Sequence, residues 1–310
     1  MNPDRPDLPP GDESPTRAGF VVLVGLPNVG KSTLLNALVG EHLSIATPKA
    51  QTTWQRVAGI RTEESVQMIF VDTPGLISSA QLFHRSMAIE TERAVAEADV
   101  VIGLLDGGAR KSREELKRFH DLLARAGRPA AIAVNKADLR RFDPASARRL
   151  ARDLQLPLYI VSARTGSGLE PLLEFVASQL PEGPFLYPAD HLASAPARFF
   201  VQELIRESVF ERYRQEIPYA VAVRIEEFRE GEDPIYIAAS LHVERKSQKG
   251  MLIGKGGTGI KSLGAAARAK IEHFLGRRVY LDLWVKVSHG WRRRRKGLAM
   301  FGYVVPDTEA

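Results

Sequence analysis

The chain has 310 residues, is 44% hydrophobic, contains no cysteine and carries a net charge of +6. That length suits two domains with real cores, and the absence of thiols excludes disulfides, zinc–thiolate centres and cysteine nucleophiles. No apolar run reaches the roughly 18 residues of a membrane span, so a soluble, intracellular protein is expected. The charge is unevenly placed. Residues 1–190 hold 22 Lys and Arg against 23 Asp and Glu, whereas residues 191–310 hold 21 against 14. Between residues 241 and 306 the count is 15 basic to 3 acidic, which predicts a polyanion-binding module on the C-terminal side.

Residues 1–18 carry Pro and acids but no apolar segment and are expected to be a disordered tail, not a signal peptide. From residue 20 to 180 apolar strands alternate with amphipathic helices, the pattern of an α/β domain with a mainly parallel sheet. Strands are expected at 21–24, 67–71, 100–105, 130–134 and 158–161. The first is followed by Gly25, Leu26, Pro27, Asn28, Val29, Gly30, Lys31 and Ser32, then by a helix expected from Thr33 to Val39 and closed by Gly40. This is G-x-x-x-x-G-K-[ST] between a strand and a helix, the context in which the pattern binds phosphate. Glycines let the backbone wrap the anion, the helix N-terminus faces it, Lys31 adds a cation, and the Ser32 hydroxyl can reach Mg²⁺.

The polar segment 43–53 lacks periodicity and predicts a mobile loop. A Thr within it can ligate Mg²⁺ and sense a terminal phosphate. Asp72, Thr73, Pro74 and Gly75 follow the strand at 67–71: the acid can hold Mg²⁺ and Gly75 can offer its N–H to a terminal phosphate. Asn135, Lys136, Ala137 and Asp138 follow the strand at 130–134. Asp138 can accept both N1–H and N2–H₂ of guanine, a donor pair that adenine lacks. Asn135 is expected to tie this loop to the phosphate loop, with the Lys136 stem along the base. After the strand at 158–161 come Ser162 and Ala163, whose N–H is expected to meet guanine O6. Leu76, directly after Gly75, carries no group that can orient a water, which predicts slow hydrolysis of a bound nucleotide.

The series GLPNVGKS, QTT, DTPG, NKAD and SAR resembles the translation-factor-like class of GTPases, and the wording PNVGKSTLLN resembles its Era and tRNA-modification branch. ATP binding and a purely structural phosphate site are the alternatives it disfavours. The resemblance implies GTP as substrate, Mg²⁺ held by Ser32, Thr53 and Asp72 (Thr52 being the second choice in the switch loop), and catalytic roles for Lys31, Asn28, Thr53 and Gly75. It also implies that Asn28 helps hold a monovalent cation such as K⁺, and Trp54 departs from the basic residue of that family.

Residues 182–196, rich in Pro, are expected to link a GTPase domain at 19–181 to a second domain at 197–306. A helix is expected at 198–214, strands at 219–227 and 235–243, a helix at 247–253, the loop Gly254-Lys255-Gly256-Gly257, a helix at 259–275 and a strand at 279–287. This order resembles a KH domain of the bacterial type, an α+β RNA-binding fold. Glycines there permit close approach of a nucleic-acid backbone, Lys255 supplies charge, and Ile253 and Ile260 are expected to help build a groove for unstacked bases. Arg292, Arg293, Arg294 and Arg295, with Lys296, are read as further phosphate contacts. The order of both halves resembles the Era family, which implies a cytoplasmic GTPase that binds 16S rRNA near its 3′ end and assists 30S subunit maturation. It further implies peripheral contact with the inner membrane; a monomer is expected. The rival readings are a passive RNA scaffold with structural nucleotide and a signalling GTPase with a protein or membrane partner.

Overall fold

The structure is a computed structural model that describes residues 15–47, 49, 51–76, 81–109 and 112–306. Its first half is a six-stranded sheet of β1 (Arg17–Gly25), β2 (Val57–Glu63), β3 (Val66–Asp72), β4 (Val100–Asp106), β5 (Ala130–Asn135) and β6 (Leu158–Ile160), in the order β2-β3-β1-β4-β5-β6. All neighbours are parallel except β2, which runs antiparallel to β3. Helices α1 (Lys31–Val39), α2 (Leu82–Glu97), α3 (Arg113–Arg125), α4 (Ala145–Leu154) and α5 (Leu169–Gln179) follow the strands. Because helices cover both faces, the central strands are apolar at successive positions. Val21 and Leu23 enter one core with Leu34 and Leu172, while Val22 and Val24 enter the other with Phe119 and Leu123.

Two expectations change here. The tail expected to run to residue 18 ends earlier: Arg17 and Ala18 are already in β1, pairing with Val66 and Gln67, and Arg17 is anchored on the Leu180 carbonyl at 2.7 Å. The rest of that expected tail, residues 1–14, lies outside the described residues. Strand β2 was not expected, since its sequence VAGIRTE carries only a weak alternating pattern. It forms because it pairs with β3 through a tight turn at Glu64 (φ 36°) and packs Val57 into the core.

The segment read as a linker runs along this sheet. The Leu192 carbonyl accepts from Ile60 N at 2.8 Å and Ala193 bridges Gly59, which covers the outer edge of β2. Gln67, fully buried, accepts from the backbone N–H groups of Leu186 and Tyr187 and donates to the Tyr187 carbonyl.

The second half is a three-stranded sheet of β7 (Ala222–Arg229), β8 (Ile235–Val243) and β9 (Val279–Val287), with β7 antiparallel and β9 parallel to β8. Helices α6 (Ala197–Arg212), α8 (Lys246–Ile253) and α9 (Thr258–Leu275) enclose its core of Val201, Ile205, Ile237, Leu241, Leu252, Leu263 and Val285. The strand expected from 219 starts three residues later. Pro218 sits in the first turn of the short helix α7 (Ile217–Ala220), where its fixed φ and missing N–H cost nothing. The chain closes with α10 (Arg295–Met300).

A fourth cluster joins the halves. Trp54, Phe83 and Met87 come from the first half, and Phe210, Ala222, Trp291, Leu298 and Phe301 from the second. Trp54 lies 5.1 Å from Phe83 and 6.1 Å from Trp291, measured between ring centroids. Trp54 is therefore an apolar anchor between the two halves. Among the described residues, no helix is long and apolar enough to cross a membrane.

Candidate functional site

A cavity of about 560 Å³ opens at the carboxyl ends of β1, β3 and β4, and is lined by Pro27, Asn28, Gly30, Lys31, Ser32, Thr33, Thr53, Gly75, Asp106 and Lys136 among others. This is where the strand order reverses, with β1 between β3 and β4, so helices leave on opposite faces and a crevice forms. Gly25 ends β1 and Gly30 (φ 95°) precedes α1. A Cβ on Gly30 would lie 2.5 Å from Asn135 Nδ2, so both its backbone angle and its surroundings require glycine. Leu26 and Val29 turn their side chains into the core, leaving only their backbone toward the loop.

Lys31 is buried and donates to the carbonyls of Gly25 and Leu26 at 3.4 and 3.3 Å. Burial pushes its pKa down, while the nearby Asp72 carboxylate pulls it up. Three expected metal ligands meet in one cluster. Asp72 Oδ2 accepts from Ser32 Oγ at 2.6 Å and Thr53 Oγ1 at 2.9 Å, and the two hydroxyl oxygens are 3.0 Å apart. Asp72 Oδ1 is buried without a hydrogen-bond partner among the described residues. Hydroxyl and carboxylate oxygens around an unsatisfied carboxylate oxygen suit a small, hard cation such as Mg²⁺. When bound, the metal would supply charge neutralisation to phosphate oxygens.

Ser44 belongs to the same cluster and was missed. Its hydroxyl donates to Asp72 Oδ2 at 2.7 Å. It lies in the loop expected to carry a metal-sensing hydroxyl, yet one-dimensional spacing does not separate it from its neighbours. Asp106, at the end of β4, was also missed; it pairs with Lys136 at 2.7 Å.

Gly75 packs on the phosphate loop, where a Cβ would lie 3.1 Å from the Pro27 nitrogen. Leu76 N donates to the Gly25 carbonyl at 3.1 Å. The Thr73 hydroxyl turns inward and donates to the Leu23 carbonyl at 2.8 Å. The Pro74 carbonyl is held by Thr91 Oγ1 at 3.1 Å. Both residues shape the turn that presents Gly75.

The base loop is clamped to the phosphate loop. Asn135 Nδ2 donates to the Val29 carbonyl at 2.9 Å, and Lys136 Nζ donates to the Asn28 carbonyl at 2.6 Å. Asn28 itself sits at φ 63°, exposed at the cavity rim. Asp138 Oδ1 accepts from Ser162 Oγ at 2.6 Å and Oδ2 pairs with Arg164 at 2.6 Å. The Ser162 hydrogen bond, with help from Arg164, holds the Asp138 carboxyl below the usual carboxylate range. The Ala163 N–H donates to Asn135 Oδ1 at 2.9 Å and so orients the Asn135 amide.

On the second half, α8 ends at Gly254 and α9 begins at Thr258. A Cβ on Gly254 would lie 2.8 Å from Gly259 N, and Gly256 and Gly257 have φ of 60° and 80°. The turn is therefore a glycine construction with Lys255 exposed at its tip. Beside it, a groove of about 340 Å³ between α9 and β9 is lined by Ile260, Lys261, Gly264, Ala265, Arg268, Tyr280, Leu281 and Leu283. Ile253 does not line it and packs on the core instead. The basic block is not uniform. Arg292 is paired with Glu244, and Arg295 donates to the Pro306 carbonyl, whereas Arg293 and Arg294 are exposed. Arg292 and Arg295 are thus internal anchors, and two of the four expected phosphate contacts carry structural partners.

The family model for 50S ribosome-binding GTPases matches residues 20–136, and the KH domain model matches residues 216–292. GTPase Era of Geobacter metallireducens is 40% identical over 296 residues, covering 94% of this chain and 99% of its own. GTPase Era of Nostoc sp. is 40% identical over 306 residues, covering 97% of this chain and 93% of its own. Among solved structures, a variant of Aquifex aeolicus Era bound to GDP·AlF4⁻ superposes with a TM-score of 0.88 at 34% identity, covering 94% of this chain and 100% of that one. An Era complex with MgGDPNP and nucleotides 1506–1542 of 16S ribosomal RNA gives 0.87 at 34% identity with the same coverage. With a P-loop GTPase half, a KH half and likeness along nearly its whole length, the chain belongs to the Era family of GTPases.

Proposed function

We propose that this protein is a GTP-hydrolysing switch that binds the 3′ region of 16S rRNA through its KH half and assists maturation of the 30S subunit. One observation carries this: a metal-ready cluster of Ser32, Thr53 and Asp72 beside a phosphate loop shares a chain with a glycine turn and groove built for RNA. The likeness to an Era bound to MgGDPNP and a 16S rRNA fragment supports both halves of the reading. In this scheme residues 17–181 form the GTPase domain, 182–196 the connecting segment and 197–306 the RNA-binding domain. The protein acts as a cytoplasmic monomer, and contact with a membrane is peripheral.

RNA binding separates two kinds of contact. Lys255→Asp combined with Gly256→Asp is expected to abolish preference for a cognate rRNA 3′ end over a scrambled RNA, through repulsion and lost backbone approach. Neutralising Arg293 and Arg294 is expected to weaken both RNAs alike and flatten the salt dependence by about 0.7 log units per lost contact. Filter binding across salt concentrations measures both. A loop variant that keeps its preference places the RNA site elsewhere.

Leu76 offers no group to orient water, so intrinsic hydrolysis is slow and charge must come from elsewhere. Asn28, at the cavity rim, would help hold K⁺. Turnover is expected to rise when K⁺ replaces Na⁺ at fixed ionic strength, and Asn28→Ala to abolish that rise with GDP affinity retained. Equal rates in the two salts would discard the cation and leave an external activating group.

A further inference from the structure

Helix α6 belongs to the core of the RNA-binding half, yet it grips the switch loop of the GTPase half. Arg206 on α6 is 2% exposed. Its guanidinium donates to the Thr52 carbonyl, pairs with Glu203, and lies 4.5 Å from the centroid of the Trp54 ring. Nη1 has no hydrogen-bond partner among the described residues. The grip is reinforced on either side. Lys49, from the switch loop, donates to the carbonyls of Phe210 and Tyr213 at the C-terminal end of α6, where the helix dipole favours a cation. Glu207 accepts from His42 at 3.0 Å and from Lys270 at 2.8 Å.

A buried guanidinium with an unsatisfied nitrogen is a poor way to gain stability, since an apolar side chain of similar volume fills such a site at less cost. What Arg206 adds is geometry. It holds the residue before Thr53 by its carbonyl and the residue after it by its ring. Thr53 between them reaches Ser32 and Asp72. Arg206 does not line the nucleotide cavity, so any effect on the reaction passes through that loop.

We propose that Arg206 is a positioning residue for GTP hydrolysis: from the RNA-binding half it sets the Thr52–Trp54 backbone and thereby the Thr53 hydroxyl at the metal cluster. The proposal rests on Thr53 being a metal ligand. It gives the RNA-binding half a specific hold on the switch, made of one side chain and two flanking residues.

Full-length Arg206→Gln, Arg206→Lys and Thr53→Ala proteins would be compared in single-turnover hydrolysis across Mg²⁺ concentrations, alongside GDP affinity and melting temperature. Arg206→Gln is expected to lower turnover about tenfold and raise the Mg²⁺ midpoint, with GDP affinity within about twofold of the parent. Arg206→Lys should recover part of the loss, because it keeps the donor to Thr52 but not the planar contact with Trp54. A Thr53→Ala shift in the Mg²⁺ midpoint without an Arg206→Gln shift overturns the proposal alone. A Thr53→Ala protein with the parent's Mg²⁺ dependence overturns the role of Thr53 and the proposal with it. Loss of turnover that only tracks melting temperature and GDP affinity, with no Lys rescue, reduces Arg206 to packing. Should Arg206→Gln fail to fold, Trp54→Leu removes the stacked face and must raise the Mg²⁺ midpoint; an unchanged midpoint also overturns the proposal.

Discussion

Asp138→Asn is expected to weaken GTP binding by about 4 kcal/mol, close to a thousandfold, and to transfer preference to XTP. Guanine presents two adjacent donors, and an ionised carboxylate meets both with acceptors, each bond to a charged group contributing about 1.5–3 kcal/mol. An Asn keeps one acceptor and turns an NH₂ toward the second donor, so the loss exceeds that of one bond. Xanthine carries a carbonyl where guanine carries its amino group, which restores the pairing. The surroundings of Asp138 support this reading. Ser162 and Arg164 each occupy one of its oxygens, leaving a lone pair on each, and they keep the carboxyl ionised by lowering its pKa. Calorimetry with GTP and XTP decides it. A variant that still prefers GTP would remove Asp138 from base recognition.

Lys31→Ala is expected to lower the rate of phosphate release by about 10²- to 10³-fold, the scale of losing one preorganised charge at a developing anion. GTP affinity should fall more than GDP affinity, as expected of an ammonium that serves the outer phosphates. Lys31 is buried, and the carbonyls of Gly25 and Leu26 hold the ammonium over the loop. Lys31→Arg should not rescue, since a planar fork needs more room than a point-like ammonium. Single-turnover phosphate release at saturating GTP tests this, and unchanged turnover in Lys31→Ala would exclude a catalytic role.

Both candidate positions are read from the amino-acid sequence for the same reason. A phosphate loop works through backbone geometry over eight consecutive residues, and the Asp72, Asp138 and Ser162 segments each follow directly on an apolar strand. Local spacing therefore carries the chemistry, and the parallel sheet brings the strand ends to one edge. The KH half was legible by the same logic, since Gly254, Gly256 and Gly257 need backbone conformations that glycine supplies.

Other features depend on residues far apart in the chain. Ser44 and Asp72 are 28 positions apart and meet only because the switch loop folds back over β3. Thr73 and Ala163 lie within recognisable motifs, but their hydrogen bonds run to Leu23 and Asn135, so their roles are settled by which strand stands alongside. Arg292 and Arg295 look equivalent to Arg293 and Arg294 until Glu244 and Pro306 are brought beside them.

By itself, then, the sequence determined the two fold types, the nucleotide loops and the glycine turn, because each is encoded in short-range spacing and backbone preference. The tertiary structure alone decided which polar groups within those motifs are spent on internal partners. It also decided that Trp54 is an anchor between the halves and that Arg206 reaches across to the switch loop. These depend on burial and on contacts between residues more than 150 positions apart, which no periodicity along the chain records.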